Sequence, residues 1–210
     1  MAKGVLIAAM DFSNVAADEF NDWYDNEHIP ERQRVPGFLT PQRWIGAENP
    51  RQSVATYDLS NLEVLRSPGY RAIGGENLSP WSKRVTAKVQ RLLRYEGEQI
   101  LPGETTAPAG AGWLLLVGMT PAADDEAAFN AWYDKEHVPA LAGVPGVLCA
   151  RRFRTSASGT KYIALYHLRD PGVVDSPEWK RASGSTPMPP LVREKITHRL
   201  RLVCRNYVRT

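Results

Sequence analysis

Two adjacent pairs, Glu27-His28 and Glu136-His137, join a carboxylate to an imidazole, the side chain whose proton comes and goes nearest neutral pH. A neighbouring carboxylate can fix the tautomer of such an imidazole, so either pair could move a proton on a phenol, an enol or a lactone. Trp23 and Tyr24 precede the first pair, and Trp132 and Tyr133 the second, as walls for a cavity. Arg43 and Arg152, further along, could hold a substrate carboxylate. Each group also has a structural use. A glutamate or histidine can anchor a helix end, a tyrosine can fill the core, and a strand arginine can pair with a buried acid.

These residues sit in a duplicated stretch. Phe20-Asn21-Asp22-Trp23-Tyr24-Asp25-Asn26-Glu27-His28-Ile29-Pro30 recurs as Phe129-Asn130-Ala131-Trp132-Tyr133-Asp134-Lys135-Glu136-His137-Val138-Pro139. Val35-Pro36-Gly37 returns as Val144-Pro145-Gly146 and Arg43 as Arg152, all at one constant offset of 109. On an α-helix of about 100° per residue, Phe20, Trp23, Tyr24, Glu27 and His28 share one face, and Asp22, Asp25 and Asn26 lie on or toward the other. The pattern predicts that Glu27, His28, Glu136 and His137 turn inward toward their own sheets, while Asp22 and Lys135 are solvated.

The elements that must position these helices read in the same order in both halves. An apolar first strand at 3–10 leads into a helix from 15 to 28, which Pro30 and then Pro36-Gly37 should end. Strands at 38–45 and 53–59 form a hairpin, a second helix covers 61–72, and a last strand lies around 85–95. A stretch of linker composition, 97–112, separates the halves. The second half then offers strands at 113–119, 147–154, 161–168 and 196–207, with helices at 124–137 and 176–182. Each half is a βαββαβ, ferredoxin-like unit, spanning 1–100 and 110–210, an antiparallel sheet with both helices on one face. The bare faces can cover each other, so the fold class is α+β, with the two tandem units packed into an intrachain α+β barrel.

Bulk composition adds only limits. The chain of 210 residues is 43% hydrophobic and 23% charged, ordinary for a globular protein, with a net charge of +3. The basic residues form no dense run, which speaks against a nucleic-acid partner, and Arg199, Arg201 and Arg205 at alternate positions read as a solvated strand edge. Cys149 and Cys204 in strand-like runs suit reduced thiols in a cytoplasmic protein, and the apolar run at 5–10 is too short for a signal or a membrane span. No His-x-x-x-His, Cys-x-x-Cys, glycine-rich phosphate loop or G-x-S-x-G elbow occurs, so the expectation is no metal and no nucleotide. The expected partner is a small molecule, the chain forms a pseudo-dimer by itself, and further self-association is left open.

The Phe-Asn-x-Trp-Tyr-x-x-Glu-His-x-Pro helix followed by Val-Pro-Gly, present twice, resembles the dimeric α+β barrel superfamily and, within it, EthD-like proteins. The resemblance implies a small-molecule pocket between the sheet and the helices of one unit, with His28 or His137 as acid or base. It implies cofactor-independent chemistry of monooxygenase, isomerase or cyclase type on an aromatic or cyclic substrate, or a non-catalytic ligand-binding barrel. The superfamily also includes haem-binding enzymes, for which one histidine suffices. If one half alone is active, His167 and His198 on strands of the second half favour that half. The repeat is broken just after the motif, where Arg32 and Arg34 face Leu141 and Gly143.

Overall fold

A computed structural model describes residues 2–155, 157 and 159–209. The first unit contributes β1 (Gly4–Asp11), β2 (Phe38–Gly46), β3 (Gln52–Leu59) and β4 (Gln90–Leu101). The second contributes β5 (Trp113–Thr120), β6 (Val147–Arg154), β7 (Tyr162–Leu168) and β8 (His198–Asn206). Both are βαββαβ, and their strands close a single barrel in the order β1-β3-β2-β8-β5-β7-β6-β4. The sheets meet face to face and also edge to edge: β2 pairs with β8 from Trp44 to Gly46, and β4 pairs with β6 from Glu98 to Leu101. Each seam is short, with three paired positions, so it closes the barrel over only part of the strand edges.

Alternation along each strand sorts the side chains into three layers. Val5, Ile7, Ala9, Trp44, Val54, Leu114, Leu116, Phe153, Ile163 and Leu165 fill the barrel interior. The opposite face of the first sheet packs Leu6, Ala55, Tyr57 and Leu59 against Phe20, Trp23 and Tyr24. The second sheet does the same with Leu115, Ala164 and Tyr166 against Phe129, Trp132 and Tyr133.

The motif helix differs from expectation. Ala17–Trp23, Tyr24–His28 and Ile29–Gln33 run on as one helix, α1, past Pro30, and Glu126–Trp132, Tyr133–His137 and Val138–Ala142 form its counterpart across Pro139. The middle segment of each is a π-turn, with the amides of Ile29 and Val138 bonded to the carbonyls of Tyr24 and Tyr133 five residues back. In a regular α-helix the proline ring would strike the carbonyl four residues earlier, and the wide turn ahead of it removes that clash. The chain reverses at Gly37, where φ is +100° and an added Cβ would lie 2.4 Å from Val64 Cγ2, and Gly146 repeats this against Val173. These two constraints account for the glycine of the Val-Pro-Gly motif.

After β3 comes a 3-10 turn at Leu62–Arg66, then α2 (Pro68–Arg71), a second 3-10 turn at Gly75–Asn77 and α3 (Pro80–Thr86). The expected last strand at 85–95 therefore starts later, because Ser79 caps a further helix through the amide of Ser82. With the second-half motif helix numbered α4, the corresponding region there holds α5 (Pro177–Ser185) and α6 (Pro190–Glu194).

The linker covers one end of the barrel. Asp58 accepts from the amide of Ala107 at 2.5 Å and from Arg151 at 2.7 Å, Arg151 also reaches the Thr105 carbonyl, and Gln42 donates to the Pro108 carbonyl. His167 Nε2 meets Gln42 Oε1 at 3.2 Å. Gln42 matches Arg151 and Asp58 matches His167 in the repeat, so the two contacts are the same contact seen from each half, as in an isologous interface.

Candidate functional site

The π-turn decides where the first histidine goes. Its extra residue turns successive side chains through a smaller angle, which brings His28 to the middle of the core face, 4.2 Å from the ring of Trp23 and 4.9 Å from that of Tyr24. Glu27 swings to the flank and accepts hydrogen bonds from Ser79 at 2.5 Å and Ser82 at 2.9 Å, while Ser82 also accepts from Trp23 Nε1. The carboxylate thus ties α1 to α3 and does not contact the imidazole ring. His28 is buried and its Nδ1 has no hydrogen-bond partner in the protein. Burial, then the positive charges of Arg32 and Arg43, hold its pKa well below the usual 6.5, so the ring is neutral at physiological pH.

His28 lines a cavity of about 310 Å³ between the first sheet and its helices. Leu6, Ala8 and Met10 of β1, Tyr57 of β3 and Leu93 of β4 form one side, and His28, Arg32, Tyr70, Gly74, Leu78 and Thr86 the other. The hydroxyls of Tyr24 and Tyr57 are buried close to each other, and burial raises both phenols above 10, so each keeps its proton.

The second half differs: a space of about 670 Å³ there is bounded by Pro187, Met188, Ile196 and Arg199, and His137 does not line it. His137 is half-buried, stacks on Trp132 and places Nδ1 3.1 Å from Thr186 Oγ1. Burial lowers its pKa, partly opposed by a bond to Thr186. Leu141, Trp179, Met188 and Val192 belong to the apolar layer of this half. Glu136, expected inward, is exposed, because no hydroxyl corresponding to Ser79 or Ser82 binds it among the described residues. His167 points into the barrel, where burial and Arg151 push its pKa down to about 3, and His198 is exposed. Neither approaches His137, so the imidazoles of the second half do not form a cluster. The ring of His28 is tilted by 45° against Trp23 and meets Tyr24 edge-on at 67°.

Arg43 and Arg152 are occupied identically. Arg43 donates to Asp25 and Asn21, each at 2.8 Å, and Arg152 to Asp134 at 2.5 Å and Asn130 at 2.6 Å. Each guanidinium also lies over the tyrosine of its motif, at 4.3 Å for Tyr24 and 4.5 Å for Tyr133. Tyr207 and Arg209, at the end of the chain, close over the first fork by binding Asp25. Asp25 is therefore drawn toward the sheet, and Asp22, paired with Arg209, is half-buried where solvation was expected; Lys135 is exposed. Trp23, Tyr24, Trp132 and Tyr133 are buried core residues. The residues that sequence reasoning left out of the site are Arg32 and Tyr57 in the cavity and Ser79 and Ser82 behind Glu27. For Arg32 a signal existed in the break of the repeat at Leu141.

No group of three or more His, Cys, Asp or Glu side chains able to hold a metal occurs among the described residues, and no helix there is long and apolar enough to cross a membrane.

The class these features define is the tandem ferredoxin-like α+β barrel, and solved structures share it. A candidate monooxygenase from Fusobacterium nucleatum superposes with a TM-score of 0.65 at 8% identity, over 98% of this chain and 92% of that one. An anthrone oxidase-like protein gives 0.63 at 10% identity, over 98% and 92%. A mutant chlorite dismutase from Candidatus Nitrospira defluvii gives 0.61 at 10%, over 99% and 93%. At such identities the likeness is one of fold. No family model and no curated protein sequence matches the chain.

Proposed function

We propose that the protein is a small-molecule enzyme of the EthD-like kind, whose first half carries the active site and whose acid/base group is His28. The observation behind this reading is that His28, with a buried, unpartnered ring nitrogen, lines a cavity between sheet and helices, whereas His137 binds Thr186, His167 points into the barrel and binds Gln42, and His198 is exposed. A neutral imidazole in an aromatic pocket can accept a proton from an acidic O–H or C–H of a phenol, enol or lactone. The step forms an imidazolium and a substrate anion together, so charge balances within the cavity. The O–H group of Tyr57, which lines the cavity, is suited to orienting an oxygen of the substrate. Return of the proton to a different atom gives an isomerase or cyclase outcome with no cofactor.

Hydrogen–deuterium exchange into small enolisable aromatic ketones, followed by NMR in D2O, tests the proton transfer without knowledge of the substrate. The intact protein should accelerate exchange. His28→Gln should remove about 10²-fold or more of that acceleration, while His137→Gln keeps it within a few-fold and both variants stay folded. Equal rates for the two variants would refute the assignment. Binding without exchange would favour a non-catalytic ligand carrier.

A further inference from the structure

Four arginine side chains are buried among the described residues, Arg32, Arg43, Arg151 and Arg152. Three have a carboxylate in close contact: Asp25 at 2.8 Å, Asp58 at 2.7 Å and Asp134 at 2.5 Å. Arg32 is the exception. Its Nη1 donates to the His28 carbonyl at 2.9 Å, and the nearest carboxylate, Glu31, is 3.7 Å away. Glu31 is also partly exposed to solvent, so it does not occupy the cavity side of Arg32. A buried guanidinium without a close anion is costly, and this is the one buried arginine that lines the cavity.

The rest of the cavity has the same sign. Arg91 and Arg94 of β4 border it, and no Asp or Glu does. Arg94 is paired outward with Glu96 at 2.5 Å, and Arg91 makes no ion pair among the described residues. By strand register Arg91 and Arg94 correspond to Arg199 and Arg201, facing Met119 and Val117 as the former face Met10 and Ala8. Arg32, however, corresponds to Leu141, a buried member of the apolar layer of the second half.

We propose that the ligand of this cavity is a small planar carboxylate, a single-ring aromatic or enolisable acid, whose anionic group pairs with Arg32 and whose ring lies against Leu6, Leu93 and His28. A volume of about 310 Å³ is at the lower end for ligand pockets and suits a molecule of that size. The inference rests on the reading of the cavity as the substrate site, but concerns binding and is separable from proton transfer.

The test is a calorimetric titration of the full chain with 4-hydroxybenzoate and its neutral isostere 4-hydroxybenzyl alcohol. The carboxylate should bind at least tenfold more tightly, with a preference that shrinks as salt is added. Arg32→Leu, the residue the second half carries, should bring the two ligands within about twofold, and Arg32→Lys should keep part of the preference. His28→Gln should retain the preference even where it abolishes exchange, so failure of the catalytic reading leaves this one standing. Equal affinity of the two probes for the unaltered protein, binding of neither, or a preference that survives Arg32→Leu in a folded variant overturns the proposal.

Discussion

Glu27 and Glu136 occupy the same place in the repeat and do different work. Glu27 accepts two hydroxyl hydrogen bonds that hold α3 against α1, while Glu136 is exposed. Glu27→Ala should lower stability by about 2 kcal/mol, because it leaves Ser79 and Ser82 without their charged acceptor, and Glu136→Ala should stay within about 0.5 kcal/mol. Thermal melts of the two variants decide this, and equal losses would show that the serine contacts carry no energy. The sequence marked Glu27 and His28 for inward positions but presented them as a pair. It could not show that a π-turn sends one to the core and the other to a serine cap, since that depends on serines 52 and 55 residues away in the chain. Arg32 was visible only as a departure from the repeat, and its burial follows from the extension of the helix beyond Pro30.

At the scale of elements, strands and turns were readable because alternation and the Pro-Gly signals are local, whereas the passage of α1 through a proline was not. The same limit applies to the arginine forks. Arg43 and Asp25 were both noted, but pairing them requires the angle at which α1 crosses β2. The fork predicts that Asp25→Asn destabilises the protein by about 2 kcal/mol, less than a fully buried pair because Asp25 is partly exposed. Arg43 would keep its bond to Asn21. Chemical denaturation measures the loss, and a change below about 0.5 kcal/mol would mean that the tyrosine stacking alone suffices to hold Arg43.

For the whole molecule, the constant offset was enough to specify two like units and a barrel, because a ferredoxin-like sheet with one bare face has few ways to cover it. The offset also aligned Asp58 with His167, yet their meeting with Arg151 and Gln42 depends on barrel closure. His167 makes that junction sensitive to acid. Its pKa is about 3 in the folded protein against an ordinary 6.5, so below 6.5 the unfolded chain takes up a proton that the folded chain refuses. Stability is therefore unaffected by this group above about 6.5 and falls as pH drops from there toward 3, by up to about 1.4 kcal/mol per pH unit. The difference in unfolding free energy between the parent and His167→Gln, measured at pH 7 and pH 5, should shrink or reverse at the lower value. A constant difference would mean that the imidazole is protonated in both states.

The linker pinned across the barrel end has a further consequence. In a barrel made from two identical chains, every substitution occurs twice, and a charge buried at one pocket must be buried at the other. Joining the halves through Thr105, Ala107 and Pro108 removes that obligation. One half can keep an under-neutralised guanidinium beside an open space while the other places leucine at that position, packed within its apolar layer. The packed half then supplies rigidity to the open one through the β2–β8 and β4–β6 seams. Covalent fusion thus divides labour between two copies of one ancestral design, one copy as chamber and the other as buttress.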